Sequence, residues 1–345
     1  MEKEILFNLM PCAKGLIGEI VLNRPKALNA LTLSMCCSIR EHLLAWQDDD
    51  NIKIVVIRGE GERAFCAGGD IRQLYEGGSQ ETEQAENFFY HEYEMNKAIF
   101  HFNKPYIALL DGITMGGGVG VSVHGSHRVA TERLMLAMPE TGIGFFPDIG
   151  AGHFLNGCPG KLGYYLGLTG NKIGKDDALA LGLATHAVPS QQLDILMGAL
   201  CQGDYDSNAY AVVDAVIQAF VNVGGENELA AKKSIIDHCF SESTVEGIIV
   251  RLEEQELAWA SDVVKTLLTK SPLSLKVTLE QLRRAQQMPF DTVMEMEYHI
   301  ACHFMRASDF YEGVRAALID KDQSPRWDPP QLGEVREGRV HAFFN

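Results

Sequence analysis

The 345-residue chain has no CxxC pair, no apolar run long enough to cross a bilayer, and few positive charges for its size. Each absence removes a class of protein. Its eight cysteines are scattered at 12, 36, 37, 66, 158, 201, 239 and 302, which is neither a disulfide framework nor a zinc pattern. They read as small hydrophobes of a reducing compartment. Lys and Arg total 30 against 46 Asp and Glu, a formal net charge of -16, and this excludes a general nucleic-acid binder, which needs a basic face. The opening MEKEILFNLM lacks the basic segment and apolar stretch of a secretory signal. With no basic, serine-rich leader either, the chain is expected in the cytoplasm, a mature mitochondrial matrix protein being the alternative. No membrane partner is expected.

What remains is an ordinary globular composition, 46% hydrophobic and 22% charged, long enough for one large domain or for a core with an appendage. GLIGEIVLN, IKIVVIRG and KPYIALLDG have the apolar content of strands, and HRVAT and RLMLAM read as two shorter ones. Thr32 or Ser34 can cap a helix running to about Trp46, and residues 79–103 carry a second helical pattern. Strands alternate with helices to about residue 190, the signature of an α/β domain with parallel pairing. Beyond that the pattern is mostly helical, with a proline-bearing tail, QSPRWDPPQLGEV, expected over the surface.

Several motifs fail on inspection. GGGVG at 116–120 is not GxGxxG and no acidic ribose ligand follows it, so a dinucleotide fold is disfavoured. GVSVHG places His124 where a nucleophile elbow requires glycine, leaving Ser122 as a small helix residue. His91–Glu92 begins an HExxH motif that Met95 breaks, and His299 with His303 lacks a third ligand.

Two features survive. The first is a pair of glycine loops, AFCAGGD at 64–70 and TMGGGVG at 114–120, each ending a strand and opening a helix. They are either tight turns or places where free backbone N–H groups meet a ligand. The second is MPETGIGFFPDIG at 138–150, where Glu140 and Asp148 sit among Met138, Pro139, Phe145, Phe146 and Pro147. An acid in such company either caps a local turn or is held in an apolar pocket with raised proton affinity.

NRPKALNAL, AFCAGGDI and GITMGGG together resemble the crotonase (enoyl-CoA hydratase/isomerase) superfamily. The run from GGGVGVSVHG to PDIGAGHFL, and DFYEGVRAALIDKDQSPRW near the end, are similar to its 3-hydroxyisobutyryl-CoA hydrolase branch. The resemblance implies an α/β fold, a spiral of ββα turns, with an acyl-CoA-binding catalytic core over 1–200. A helical region over 201–345 would cover the site or form an interface. It implies an oxyanion hole from the N–H groups of Gly69 and Gly117, and substrate contacts from Glu92, Gly117, Glu140 and Asp148, with Glu140 and Asp148 catalytic. Hydratases of the superfamily carry a first glutamate shortly after the triple glycine. Here that position is Gly120, so hydrolysis of a short 3-hydroxyacyl-CoA thioester is favoured, as in valine breakdown. The alternatives are a hydratase/isomerase and a non-catalytic acyl-CoA-binding protein. No metal or organic cofactor is implied beyond the CoA of the substrate. Homo-oligomers are common in the superfamily. Arg24, Lys26, Arg63 and Arg72 flank the N-terminal motifs as cations that either meet the CoA phosphates or are merely solvated.

Overall fold

The computed structural model describes residues 3–77, 82–222, 225 and 227–345. The chain forms two compact units, the first of Met1–Gly69, Glu94–Leu136 and Ile173–Asn227, the second of Asp70–Tyr93, Ala137–Lys172 and Glu228–Asn345.

A six-stranded sheet organises the first unit, in the order β1 (Ile5–Cys12), β2 (Gly15–Leu22), β3 (Ile52–Gly59), β5 (Tyr106–Leu110), β7 (His127–Ala130), β9 (His186–Ala187). Pairing is parallel from β2 to β9, and β1 joins β2 antiparallel. Alternate residues Ile17, Ile54, Val56, Ile107, Leu109 and Val129 share one core with Leu196, Leu200, Val213 and Ile217, from the helices Leu193–Leu200 and Ala209–Gln218. Their neighbours Val55, Ile57 and Ala108 are buried too, so these strands are covered on both faces, which is why they read as unbroken apolar runs.

Each of β3, β5 and β7 is followed, after a short link, by a strand of a second sheet with the order β4 (Ala64–Cys66), β6 (Ile113–Met115), β8 (Met135–Ala137). The repeat of strand, short strand, helical segment is the expected ββα spiral. The strand readings of GLIGEIVLN, IKIVVIRG and KPYIALLDG hold, as do the two short strands. Thr32 is the cap of the helix Leu33–Asp48, its hydroxyl accepting from the Met35 N–H. The second helical pattern forms the helix Thr82–Phe100, and residues 79–81 lie outside those described. After Ala187 there is no strand among the described residues.

In the second unit the core is aromatic. Phe145 packs on Phe89, Phe146, Phe304 and Phe310 at ring-centroid distances of 4.8–5.7 Å. Burying one such ring is worth roughly 1.5–3 kcal/mol. The FFPD segment is thereby fixed from three helices, Thr82–Phe100, Phe290–Phe304 and Ser308–Val314. The proline-bearing tail is largely exposed but tied at two points, Trp327 Nε1 to the Thr269 carbonyl at 3.1 Å and the Asp328 N–H to Asp309 Oδ1 at 2.8 Å.

Candidate active site

Within the first unit the two glycine loops meet backbone to backbone. Gly68 has φ +112°, and a Cβ there would stand 3.2 Å from the Met115 carbonyl oxygen and 3.6 Å from the Gly117 nitrogen. A Cβ on Gly118 would fall 2.0 Å from the Cys66 carbonyl oxygen, so only hydrogen fits. Gly117 is the first residue of the helix Gly117–Val123, and its N–H has no carbonyl to bond within that helix.

The NRPKALNAL motif explains how the first loop is held. Leu28 and Asn29 take left-handed backbone angles, φ 52° and 58°, which asparagine tolerates better than most residues. Asn29 is fully buried, and its amide donates to the carbonyls of Glu60 at 3.0 Å and Ala64 at 2.9 Å while accepting from the Arg24 N–H at 3.0 Å. The next residues grip the glycines, with the Leu31 N–H donating to the Gly68 carbonyl at 2.8 Å. Arg24 itself is engaged by Glu4 at 3.2 Å and by the Ala30 carbonyl at 2.7 Å.

The carboxyl groups assemble within the second unit. Glu140 opens a short 3₁₀ turn, Glu140–Ile143, closed by Gly144 at φ 70°, where a Cβ would meet the Asp309 carbonyl oxygen at 2.1 Å. Thr141 fastens the turn by donating to the Leu168 carbonyl at 3.1 Å and accepting the Ser271 N–H at 3.1 Å. Glu140 is only 5% exposed, and its Oε2 has no hydrogen-bond partner. Burial, then the charge of Asp148, pushes its carboxyl well above the usual range, and Lys270 opposes the shift. Lys270 is in turn pushed down by its own burial.

Asp148 is equally buried and accepts the phenol of Tyr93 at 2.7 Å on Oδ2. Burial raises it to about 7, against the lowering effect of the Tyr93 hydrogen bond. Glu92, one residue earlier on the same helix, is 2% exposed with an unpartnered Oε1, and burial followed by the Asp148 charge raises it too. The three acids singled out in the sequence are thus all buried, with the charge of Asp148 acting on both glutamates, and the solvated reading does not describe Glu92.

Three contributors were not legible beforehand. Tyr93, Lys270 and Glu297 all act on this group, and Glu297 is a fully buried acid on the helix Phe290–Phe304. Its signal was present: it falls in step with Val293, Ile300, Ala301 and Phe304, the apolar face of that helix, where an acid has no ordinary business.

The rejected motifs stay structural. Ser122 donates to the Gly118 and Val119 carbonyls at 3.0 and 2.9 Å, and the His303 Nδ1 faces the His299 carbonyl at 2.9 Å. Among the described residues no three His, Cys, Asp or Glu side chains are set to hold a metal ion. No helix among them is long and apolar enough to cross a membrane.

Comparison with known proteins agrees with this architecture. Residues 17–344 match the family model described as enoyl-CoA hydratase/isomerase. The mitochondrial 3-hydroxyisobutyryl-CoA hydrolase of Danio rerio is 44% identical over 99% of this chain and 89% of its own length. That of Homo sapiens is 44% identical over 96% of this chain and 86% of its own. A solved structure described as a carnitinyl-CoA dehydratase from Mycobacterium thermoresistibile superposes with a TM-score of 0.92 at 38% identity, covering 100% of this chain and 97% of that one. One described as an enoyl-CoA hydratase from Rhodobacter sphaeroides gives 0.89 at 36%, covering 99% and 97%. The chain belongs to the enoyl-CoA hydratase/isomerase (crotonase) family and, within it, to the branch of the 3-hydroxyisobutyryl-CoA hydrolases.

Proposed function

We propose that this protein is an acyl-CoA thioester hydrolase, converting 3-hydroxyisobutyryl-CoA, or a closely related short 3-hydroxyacyl-CoA, to the free acid and CoA. The observation that carries the reading is Glu140, a buried carboxyl with one unbonded oxygen and raised proton affinity, in a chain whose first hydratase position is Gly120. A hydratase of this superfamily generally uses a pair of acids across the double bond; one acid and one water suffice to open a thioester.

In this reading the Gly69 and Gly117 N–H groups bind the thioester oxygen. A donor of that kind is worth about 2.7–4 kcal/mol as the oxygen becomes negative. Glu140, in its ionised form, takes a proton from water as the water oxygen bonds to the carbonyl carbon. The tetrahedral intermediate collapses, the C–S bond breaks, and the thiolate leaves and is protonated. Direct attack by Glu140, giving a mixed anhydride that water then opens, is a second route through the same carboxyl, favoured by its unbonded Oε2. Isotopic oxygen appearing in Glu140 after one turnover in labelled water separates the two. Asp148 holds the 3-hydroxyl of the acyl group, and Glu92 contacts the same end.

The CoA thiolate is a good leaving group, so the reading invokes no cofactor. It places the reaction in valine breakdown. The mitochondrial names of the relatives support the organellar matrix over the cytoplasm. A homo-oligomer is proposed from family habit.

The test is a substrate panel followed by two signals at once. Thiol release from 3-hydroxyisobutyryl-CoA, with an enoyl-CoA left intact, supports the reading. Loss of enoyl absorbance without thiol release favours the hydratase alternative. Tight acyl-CoA binding with neither signal favours the non-catalytic one.

A further inference from the structure

The turn that carries Asp148 is unusual. Ile149 and Gly150 are both left-handed, φ 56° and 86°, and a β-branched residue reaches that region only under constraint. Successive backbone N–H groups in such a turn form a concavity for an anion. A carboxyl group already occupies it. Glu297 Oε2 accepts the Gly150 N–H at 2.6 Å, and Oε1 accepts the Gly152 N–H at 2.8 Å and Gln281 Nε2 at 2.8 Å. Gln281 Nε2 also donates to the Pro147 carbonyl at 2.8 Å. The pair thus grips the chain immediately before Asp148 and again two and four residues after it.

An amide would not serve. All three partners of Glu297 are donors, so an amide in its place would set an NH₂ against a donor. Nor can the loop be rebuilt around a larger residue, since a Cβ on Gly152 would fall 2.8 Å from the Ala285 Cβ and 3.1 Å from Glu297 Oε1. Among the described residues, the titratable side chains in electrostatic reach of Asp148 or Glu297 are Tyr93, Glu92 and Glu140, and none of them is a cation.

We propose that Glu297 is a positioning residue for the reaction. Its carboxyl oxygens, with Gln281, lock the Pro147–Gly152 turn so that Asp148 is presented to the acyl group. The role rests on the hydrolase reading, yet the lock itself can be read without turnover.

The experiment compares Glu297→Gln, which keeps the shape and replaces one accepting oxygen by an NH₂, with Glu297→Asp, which keeps both oxygens and loses a methylene. Rates are taken per folded site, counted by binding of a non-hydrolysable thioether analogue of the substrate. Glu297→Gln is expected to lower kcat about 10²-fold with KM near wild type, the scale of a small misplacement of a reacting group. Glu297→Asp retains more activity. The Asp148 carboxyl, followed by ¹³C NMR of labelled aspartate, titrates at lower pH in Glu297→Gln because the loosened turn no longer keeps it buried, and near its wild-type value in Glu297→Asp. If packing alone matters the order reverses, the isosteric amide behaving as wild type and the aspartate failing, and the proposal is overturned. Where Glu297→Gln does not fold, Gln281→Met takes its place. Wild-type kcat and an unmoved Asp148 titration in that variant would equally overturn it. If the wild-type enzyme releases no thiol, the hydrolase reading fails, while the titration still decides the lock.

Discussion

The first unit offers its chemistry in backbone, the second in buried side chains. In the loops at Gly68–Gly69 and Gly116–Gly118 the essential feature is the absence of Cβ atoms, which lets one loop touch the other. Around Glu140 and Asp148 the essential feature is burial, which raises the proton affinity of each carboxyl. The two kinds of site fail differently. Backbone donors have no protonation state to lose and respond to bulk; desolvated acids respond to charge and pH.

The largest expected contrast lies between the two units. Glu140→Gln should lower kcat about 10³-fold, within the usual span for a lost acid–base group, with the fold intact. Gly117→Val should lower kcat/KM about 10²-fold by obstructing the carbonyl at its donors, measured by the same thiol release. Gly118→Ala breaks the comparison from the other side. Its Cβ would sit 2.0 Å from the Cys66 carbonyl oxygen, so it should cost stability first, seen as a fall in Tm by calorimetry.

A smaller effect is the pH dependence that only the acidic cluster should show. Burial raises Asp148 to about 7 and holds Glu140 well above the usual carboxylate range, so kcat, which needs Glu140 ionised, should rise with pH as these groups lose their protons. Tyr93 donates to Asp148 and holds its proton affinity down, so Tyr93→Phe should move the midpoint to higher pH, by up to about one unit. Stability should run the opposite way. The folded form keeps protons that the unfolded chain has already lost, on Asp148 between 3.8 and about 7 and on Glu297 between 4.5 and about 8. Stability from these groups is therefore present at low pH and lost as pH rises through that window. The slope is about 1.4 kcal/mol per pH unit for each proton held in excess. Thermal unfolding at several pH values measures it, and Glu297→Gln should flatten the curve.

How much of this was legible follows from the same contrast. Glycine punctuation survives in the sequence, so both loops could be seen, and β2, β3 and β5 were visible as apolar runs. Strands β4 and β6 are three residues each, too short for any periodicity, and both lie inside the loops they position. β1 alternates between half-buried and exposed residues as an edge strand, which left its pairing with β2 unread. Among the acids, Glu140 and Asp148 stood out against apolar neighbours. Glu297 did not, because Glu295 two residues before it is exposed and the pair looks like an ordinary solvated face. The apolar phase of Val293, Ile300 and Phe304 marks Glu297 as the inward one, and what it meets there, the Gly150–Gly152 turn, is a tertiary fact.

The most direct test of the account is single-turnover thiol release from 3-hydroxyisobutyryl-CoA by excess Glu140→Gln enzyme, with substrate-analogue binding measured on the same sample. Binding near wild type with release slowed about 10³-fold is the predicted result. Release at close to the wild-type rate would contradict it, and the carboxyl would then have no part in the chemistry.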